Sequence, residues 1–307
     1  MKRITLALLM SLGLTPCLLA QILHEPSGAD DLRNARGGPL SWQKPNPPSA
    51  PLPGKRPAEA KTQDEFKDYN TAYAITGGAQ MEKAADDFAA KYPSSQLRGF
   101  LYSKAMHEYQ TENAPGKMVA VGEKLLKIDP DNTVALVLTA TVLSDNLNAD
   151  DPDRVKKADE IKQKATRAIA TVDSAFAPPA NATPEQITAF KNKLMSWAHS
   201  SLGITYLKTG DDAGAEKELK MAAELSRAAP DPYVWYHLAL AQDHQQKTAD
   251  ALASVEEALR SAGSNADLAK LAASERDRLV IIIKSTGGSA PSASAPQAQP
   301  TPTPQPQ

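Results

Sequence analysis

Residues 202–222 read LGITYLKTGDDAGAEKELKMA and residues 238–258 read LALAQDHQQKTADALASVEEA. Shifted by 36 positions, Leu202, Gly203, Ala215, Leu219 and Ala222 fall on Leu238, Ala239, Ala251, Val255 and Ala258. Apolar residues three and four apart make each half of either stretch an amphipathic helix. Small residues at matching places allow two antiparallel helices to approach until their backbones nearly touch. The unit is therefore a helical hairpin used more than once. One hairpin is too small to bury its own apolar face, so neighbours must stack and the last must be capped.

This pattern resembles the tetratricopeptide repeat (TPR) family, a 34-residue helix-turn-helix with an early aromatic, small residues at the helix crossing and a late proline. Trp235 holds the early aromatic position of the second copy, and His199 stands there in the first. On the same template Tyr102, Ala105, Met106, Tyr109, Met118, Leu125 and Pro130 fit a copy starting near Gly99. Leu136, Ala140, Leu143, Ala158 and Ala165 fit one from Thr133, with an extended turn over residues 146–153. Ala72, Ile75, Ala84 and Phe88, then Lys91-Tyr92-Pro93, fit one from about Phe66, in a form similar to bacterial cell-envelope TPR proteins. The expected fold is all-α, a TPR solenoid of about five αα-hairpins over residues 65–284 with a capping helix from Ala266 to Lys284. An insertion over residues 175–183 feeds an elongated helix from Pro184 to Lys208. Thr183-Pro184-Glu185-Gln186 has the composition of a helix start: a capping hydroxyl, a first-turn proline and an amide that bonds back. Gly77-Gly78, Gly116, Gly210 and Gly263 stand where helices are expected to stop.

Outside this body the composition changes. Of the 24 prolines, 13 lie in residues 39–57 and 291–306. Residues 21–64 read as a linker of polyproline character, and residues 285–307, with no charged and no large apolar side chain, as a disordered tail. Lys2 and Arg3 precede an apolar run from Ile4 to Leu14, with Ala20 at a cleavage position, which reads as a signal peptide over residues 1–20. That predicts a periplasmic or otherwise extracytoplasmic protein. Leu14-Thr15-Pro16-Cys17 resembles a lipoprotein acylation box with Pro16 where a small residue is expected, so a soluble form is preferred to a lipid anchor at Cys17. No later apolar run is long enough for a membrane span.

Lys and Arg number 34 against 36 Asp and Glu, a balance that does not favour nucleic acid or anionic lipid as partner. The chain has a single Cys, so a mature form cleaved after Ala20 holds no thiol. Gly116-Lys117-Met118 lacks the rest of a phosphate loop, no nucleophile elbow occurs, and His237 and His244 lack a third ligand at useful spacing. No cofactor, metal or catalytic residue is expected. Asp150, Asp151, Asp153, Asp211 and Asp212 sit beside helix starts, where capping accounts for them.

In the TPR family the first helix of each hairpin lines the concave groove. The resemblance places Phe66, Tyr69, Tyr73, Phe100, His107, Trp197, Tyr233 and Tyr236 on that surface, with Val134, Val137 and Thr141 in the third copy. Seven of those eight are among the 16 Phe, Trp and Tyr residues of the chain. Aromatics offer large contact area with few rotors to freeze, which suits recognition of a peptide or helix. The family's clamp for a terminal carboxylate has no counterpart, since Tyr69, Ser103, Val137, Ser200 and Tyr236 hold its positions. The function expected is a non-enzymatic scaffold for protein or peptide partners; the alternative is an accessory or regulatory subunit of a cell-envelope enzyme, assembly or transport complex.

Overall fold

The computed structural model describes residues 60–176 and 182–285; the expectations for the signal peptide, Cys17, most of the proline-rich linker and the tail lie outside them. The described residues form eleven helices and no strand. They are α1 Gln63–Tyr73, α2 Gly78–Lys91, α3 Arg98–Thr111, α4 Pro115–Ile128, α5 Thr133–Asp145, α6 Arg154–Ala175, α7 Pro184–Thr209, α8 Asp212–Leu225, α9 Pro232–His244, α10 Thr248–Ser261 and α11 Ala266–Ser285. The chain divides into two compact units at Pro230 and Asp231, each all-α and built of TPR-like antiparallel hairpins.

In the first unit each odd-numbered helix opens a hairpin that the next helix closes. α2 also packs on α3, α4 on α5 and α6 on α7, while first helices meet one another in the pairs α1 with α3 and α5 with α7. In the second unit α10 and α11 pack on α9 and on each other. The capping helix inserts Leu268, Ala272, Leu279 and Ile283; Ile281, 66% exposed, breaks its otherwise largely polar outer face.

Close approach is visible at three glycines. A Cβ on Gly78 would lie 2.4 Å from the Tyr109 ring, one on Gly122 2.5 Å from Thr139 Cγ2, and one on Gly203 2.5 Å from Leu219 Cγ. Ala215, Leu219, Ala222, Ala251, Val255 and Ala258 are all fully buried, so the repeated positions are the helix crossings. Polar bonds ride on this proximity. Ser196 Oγ donates to the Ala222 carbonyl (2.9 Å), and Ser254 Oγ to Gln242 Oε1 (2.7 Å). His199, in the place of an aromatic, lies 2.6 Å from Glu218 across the α7–α8 pair.

Helix ends follow the sequence with some differences. Thr183 and Gln186 form the expected reciprocal capping box, and Asp211 accepts from the Gly214 N–H. Asp153 stands at the start of α6 but makes no capping bond; Asp151 instead accepts from the Asn148 N–H and pairs with Lys157. Gly210 ends α7 at a φ of +87°, as expected of a left-handed stop. Gly116 does not end a helix: it lies in the first turn of α4, and Asn113, at a φ of +53°, makes the turn instead. The first helix starts at Gln63, two residues before the expected boundary at 65, because Thr62 caps it through the Glu65 N–H.

Tyr102 and Tyr109 of α3 reach across to α2 and donate to its Asp86 (2.8 Å) and Glu82 (2.6 Å), and Lys124 of α4 bridges the same two carboxylates. Burial, then the carboxylate each faces, pushes both phenols up to about 12. A phenol that holds its proton more tightly folded than unfolded adds stability below its unfolded value near 10, and that contribution fades as pH rises from about 10 to about 12. Absorbance titration at 295 nm is expected to show two tyrosines ionising late, near 12, with alkaline loss of helicity; Phe at both positions removes the late step. Separately, Gly203→Ala is expected to lower unfolding free energy in urea by about 1–3 kcal/mol through overpacking. Gly116→Ala, whose Cβ meets nothing within 4 Å, leaves stability unchanged or raises it by up to about 1 kcal/mol.

Candidate protein-interaction face

The side of α3 that carries Leu101, Tyr102, Ala105, Met106 and Tyr109 is consumed by packing. Phe100, Ser103, Lys104 and His107, three and four apart, run along its other side and remain half-buried. α1 repeats the arrangement with Phe66 and Tyr73 half-buried, while Glu65, Tyr69 and Ala72 turn inward. Lys61 at the head of α1 bonds Ser94 just before α3, and Lys104 reaches the far end of α1, so the two helices run side by side in the same direction. The two stripes meet where Lys104 Nζ lies 5.7 Å from the centre of the Tyr73 ring.

Tyr69 does not belong to this surface. It is 1% exposed and packs edge-on to Phe88 of α2, with Tyr73 5.5 Å away, because α1 presses its central residue onto its own hairpin partner. Val137 is buried on α5 as well, leaving Val134 and Thr141 on the open side. Trp197 of α7 is half-buried against two apolar cores, one running from α1 to α5 and one formed by α5, α6 and α7, with Lys193 5.0 Å from the centre of its ring. In the first unit, therefore, the aromatic stripe is dense on α1 and α3, aliphatic on α5 and a single indole on α7.

In the second unit Tyr233 accepts a hydrogen bond from Asn265 Nδ2 (2.8 Å), tying the start of α9 to the turn before α11. Tyr236, next to His237, is half-buried on the unit's core, and burial, then the Glu275 carboxylate, raises its phenol above the ordinary value.

Three cations join successive first helices, and nothing in the repeat pattern announces them. Lys104 Nζ donates to the Ile75 carbonyl beyond α1 (2.7 Å) and pairs with Glu108 (2.6 Å). Lys208 of α7 donates to the carbonyls of Ser144 (2.8 Å) and Asp145 (2.7 Å) at the end of α5. Arg278 of α11 binds Asp243 near the end of α9 together with Glu275. A positive charge at a helix C-terminus meets the negative end of the helix dipole and its unused carbonyls. Glu108 and Glu112 do the opposite office at the start of α2, accepting from the Gly77 (2.8 Å) and Gly78 (2.6 Å) N–H groups, since glycine offers no capping side chain. Burial favours the neutral form of Glu108, but the Lys104 ammonium and the Gly77 N–H outweigh it and hold the carboxyl below its usual range.

Phe66, Tyr73 and Phe100 give this face an apolar, aromatic character, with Ser103, Lys104 and His107 as its polar members. Among the described residues no three His, Cys, Asp or Glu side chains gather as metal ligands, and no helix is long and apolar enough to cross a membrane. His237 Nδ1 faces the Tyr233 carbonyl at 2.8 Å.

No protein-family model and no curated protein matches the chain. Among solved structures it is similar to a thermophilic TPR protein from Thermus thermophilus, at 17% identity over 69% of this chain and 97% of that one, with a TM-score of 0.40.

Lys208→Met is expected to destabilise the protein by about 1–3 kcal/mol, because two carbonyls lose a charged donor and the methionine supplies none. Hydrogen exchange resolved along the chain checks it: faster exchange concentrated in the last turn of α5 is the expected result.

Proposed function

We propose that the chain is a non-enzymatic scaffold that binds protein partners, peptides or single helices, along the open side of its first helices. The observation that carries this reading is the half-buried set Phe66, Tyr73, Phe100 and His107 on adjacent parallel helices. Side chains that core packing alone required would be covered, as Tyr69 is. Half-covered aromatics already have their rotamers restricted on one side and offer a ready apolar surface on the other, which is how a few residues come to dominate an interface. The basic segment and apolar run at residues 2–14, with Ala20 as cleavage position, support export across the inner membrane, so the partners belong to the cell envelope.

Affinity capture of envelope proteins with the full chain, run beside Phe100→Ala, tests the proposal. Loss of about 1–3 kcal/mol of binding with unchanged circular dichroism and melting temperature is the expected result. Equal capture by both chains would remove the α1–α3 stripe as the binding surface, and robust turnover of a substrate that one polar substitution abolishes would remove the scaffold reading altogether.

A further inference from the structure

α1 is lightly held. Its inner side buries Glu65, Tyr69 and Ala72 alone, spaced i, i+4 and i+7, and of these only Tyr69 is a large apolar anchor. α3, by contrast, buries Leu101, Tyr102, Ala105, Met106 and Tyr109. The polar clasps of α1 lie at the surface: Lys61 Nζ on Ser94 is exposed, and Asp68 accepts from the Tyr92 hydroxyl (2.7 Å) and from Lys91, whose side chain is 63% exposed. Exposed pairs of this kind contribute little.

One residue of the seat fits it badly. Glu65 is 3% exposed; its Oε2 accepts from the Lys61 N–H (2.7 Å), but its Oε1 is buried with no hydrogen-bond partner among the described residues. A buried acceptor that has given up water without gaining a donor destabilises the arrangement that holds it. Past α1 the chain is fastened to α3 instead, Lys104 holding the Ile75 carbonyl and Glu108 the Gly77 N–H, so α1 can leave while the turn after it stays in place.

We infer that α1 is a displaceable helix: it opens by itself, and the seat it vacates on α2 and α3 takes a partner helix bearing an apolar residue, an aromatic four positions on and a small residue three beyond that, with an acid directly before the aromatic. Each requirement follows from how α1 is seated. The aromatic takes the place of Tyr69 beside Phe88, the small residue that of Ala72, and the acid that of Asp68 against Lys91 and Tyr92. The apolar residue replaces Glu65 and removes its unpartnered oxygen. Amphipathic helices lie in grooves through anchors at this spacing. The seat is on the inner side of α1, so this mode does not depend on the open stripe of Phe66, Tyr73 and Phe100.

The apparent affinity of such a partner is reduced by the fraction of chains in which α1 is open. Seating α1 more firmly therefore weakens the partner in proportion.

The test uses the full chain and a synthetic peptide of residues 60–76 carrying Glu65→Met. Calorimetry compares its binding to the natural chain and to a chain with the same substitution. The expected results are binding to the natural chain, binding about tenfold weaker to the Glu65→Met chain at unchanged helicity, and loss of binding when the peptide also carries Tyr69→Ala. No binding to the natural chain, equal binding to both chains, or binding that survives Tyr69→Ala overturns the proposal. Hydrogen exchange on the natural chain needs no variant: the amides of α1 are expected to exchange at least about tenfold faster than those of α3, and equal protection of the two helices overturns the proposal as well.

Discussion

Everything in this protein depends on helices coming closer than ordinary side chains permit. Gly78 lies under the Tyr109 ring, Gly122 against Thr139 and Gly203 against Leu219, and buried alanines such as Ala85, Ala105, Ala165, Ala198 and Ala251 hold the other crossings. The 51 alanines are in this sense a geometric resource. Close backbones bring the short hydroxyl of Ser196 within reach of a carbonyl on the next helix, and set long side chains such as Tyr102 and Lys124 where they can span to a neighbouring hairpin.

Such a core has a thermodynamic shortfall. A buried methyl contributes about 0.8 kcal/mol, a buried Leu or Phe about 1.5–3, so an alanine-rich crossing yields less per residue than a leucine-rich one. Two features offset it. Large side chains fill the space between crossings, among them Tyr69, Met81, Leu101, Met106, Leu125, Ile161 and Leu194, all nearly inaccessible to solvent. Charges placed on helix ends then supply directional bonds at the joints, where Lys104, Lys208 and the pair Glu108 and Glu112 each meet backbone groups that lack helical partners. Lys104, Glu108 and Lys208 are mostly covered, which lifts their bonds above the small value of exposed ion pairs.

The hairpins were legible because their signal is periodic. Leu202 and Leu238, or Ala215 and Ala251, stand at one constant offset, and the turn over residues 146–153 and the helix opening at Pro184 followed from the same template. The joints were not, since Lys208 and its two carbonyl acceptors are more than sixty residues apart and share no period. Gly116 misled because glycine is open to many backbone angles, and the turn used Asn113. The candidate face was legible only in part. A template position says which way a residue points within an average repeat, and Tyr69 departs from it because α1, the first described helix, turns that side chain onto α2, whereas Phe66, Tyr73 and Phe100 keep theirs half-open. The separation into units at Pro230 had no mark beyond the short run Ser226 to Asp231.

The third hairpin region has unequal limbs. α6 spans 22 residues and α7 spans 26, against 13 and 14 in their neighbours α5 and α8. Ser196 meets Ala222 near the end of α8, so the first turns of α7 run past that helix beside the end of α6, where Lys191 pairs with Asp173. A limb that outruns the helices beside it has fewer neighbours to leave, and such segments open locally at less than the global free energy. Thermal or proteolytic attack is thus expected to find a place to begin in this limb that leaves the crossings at Gly122 and Gly203 intact.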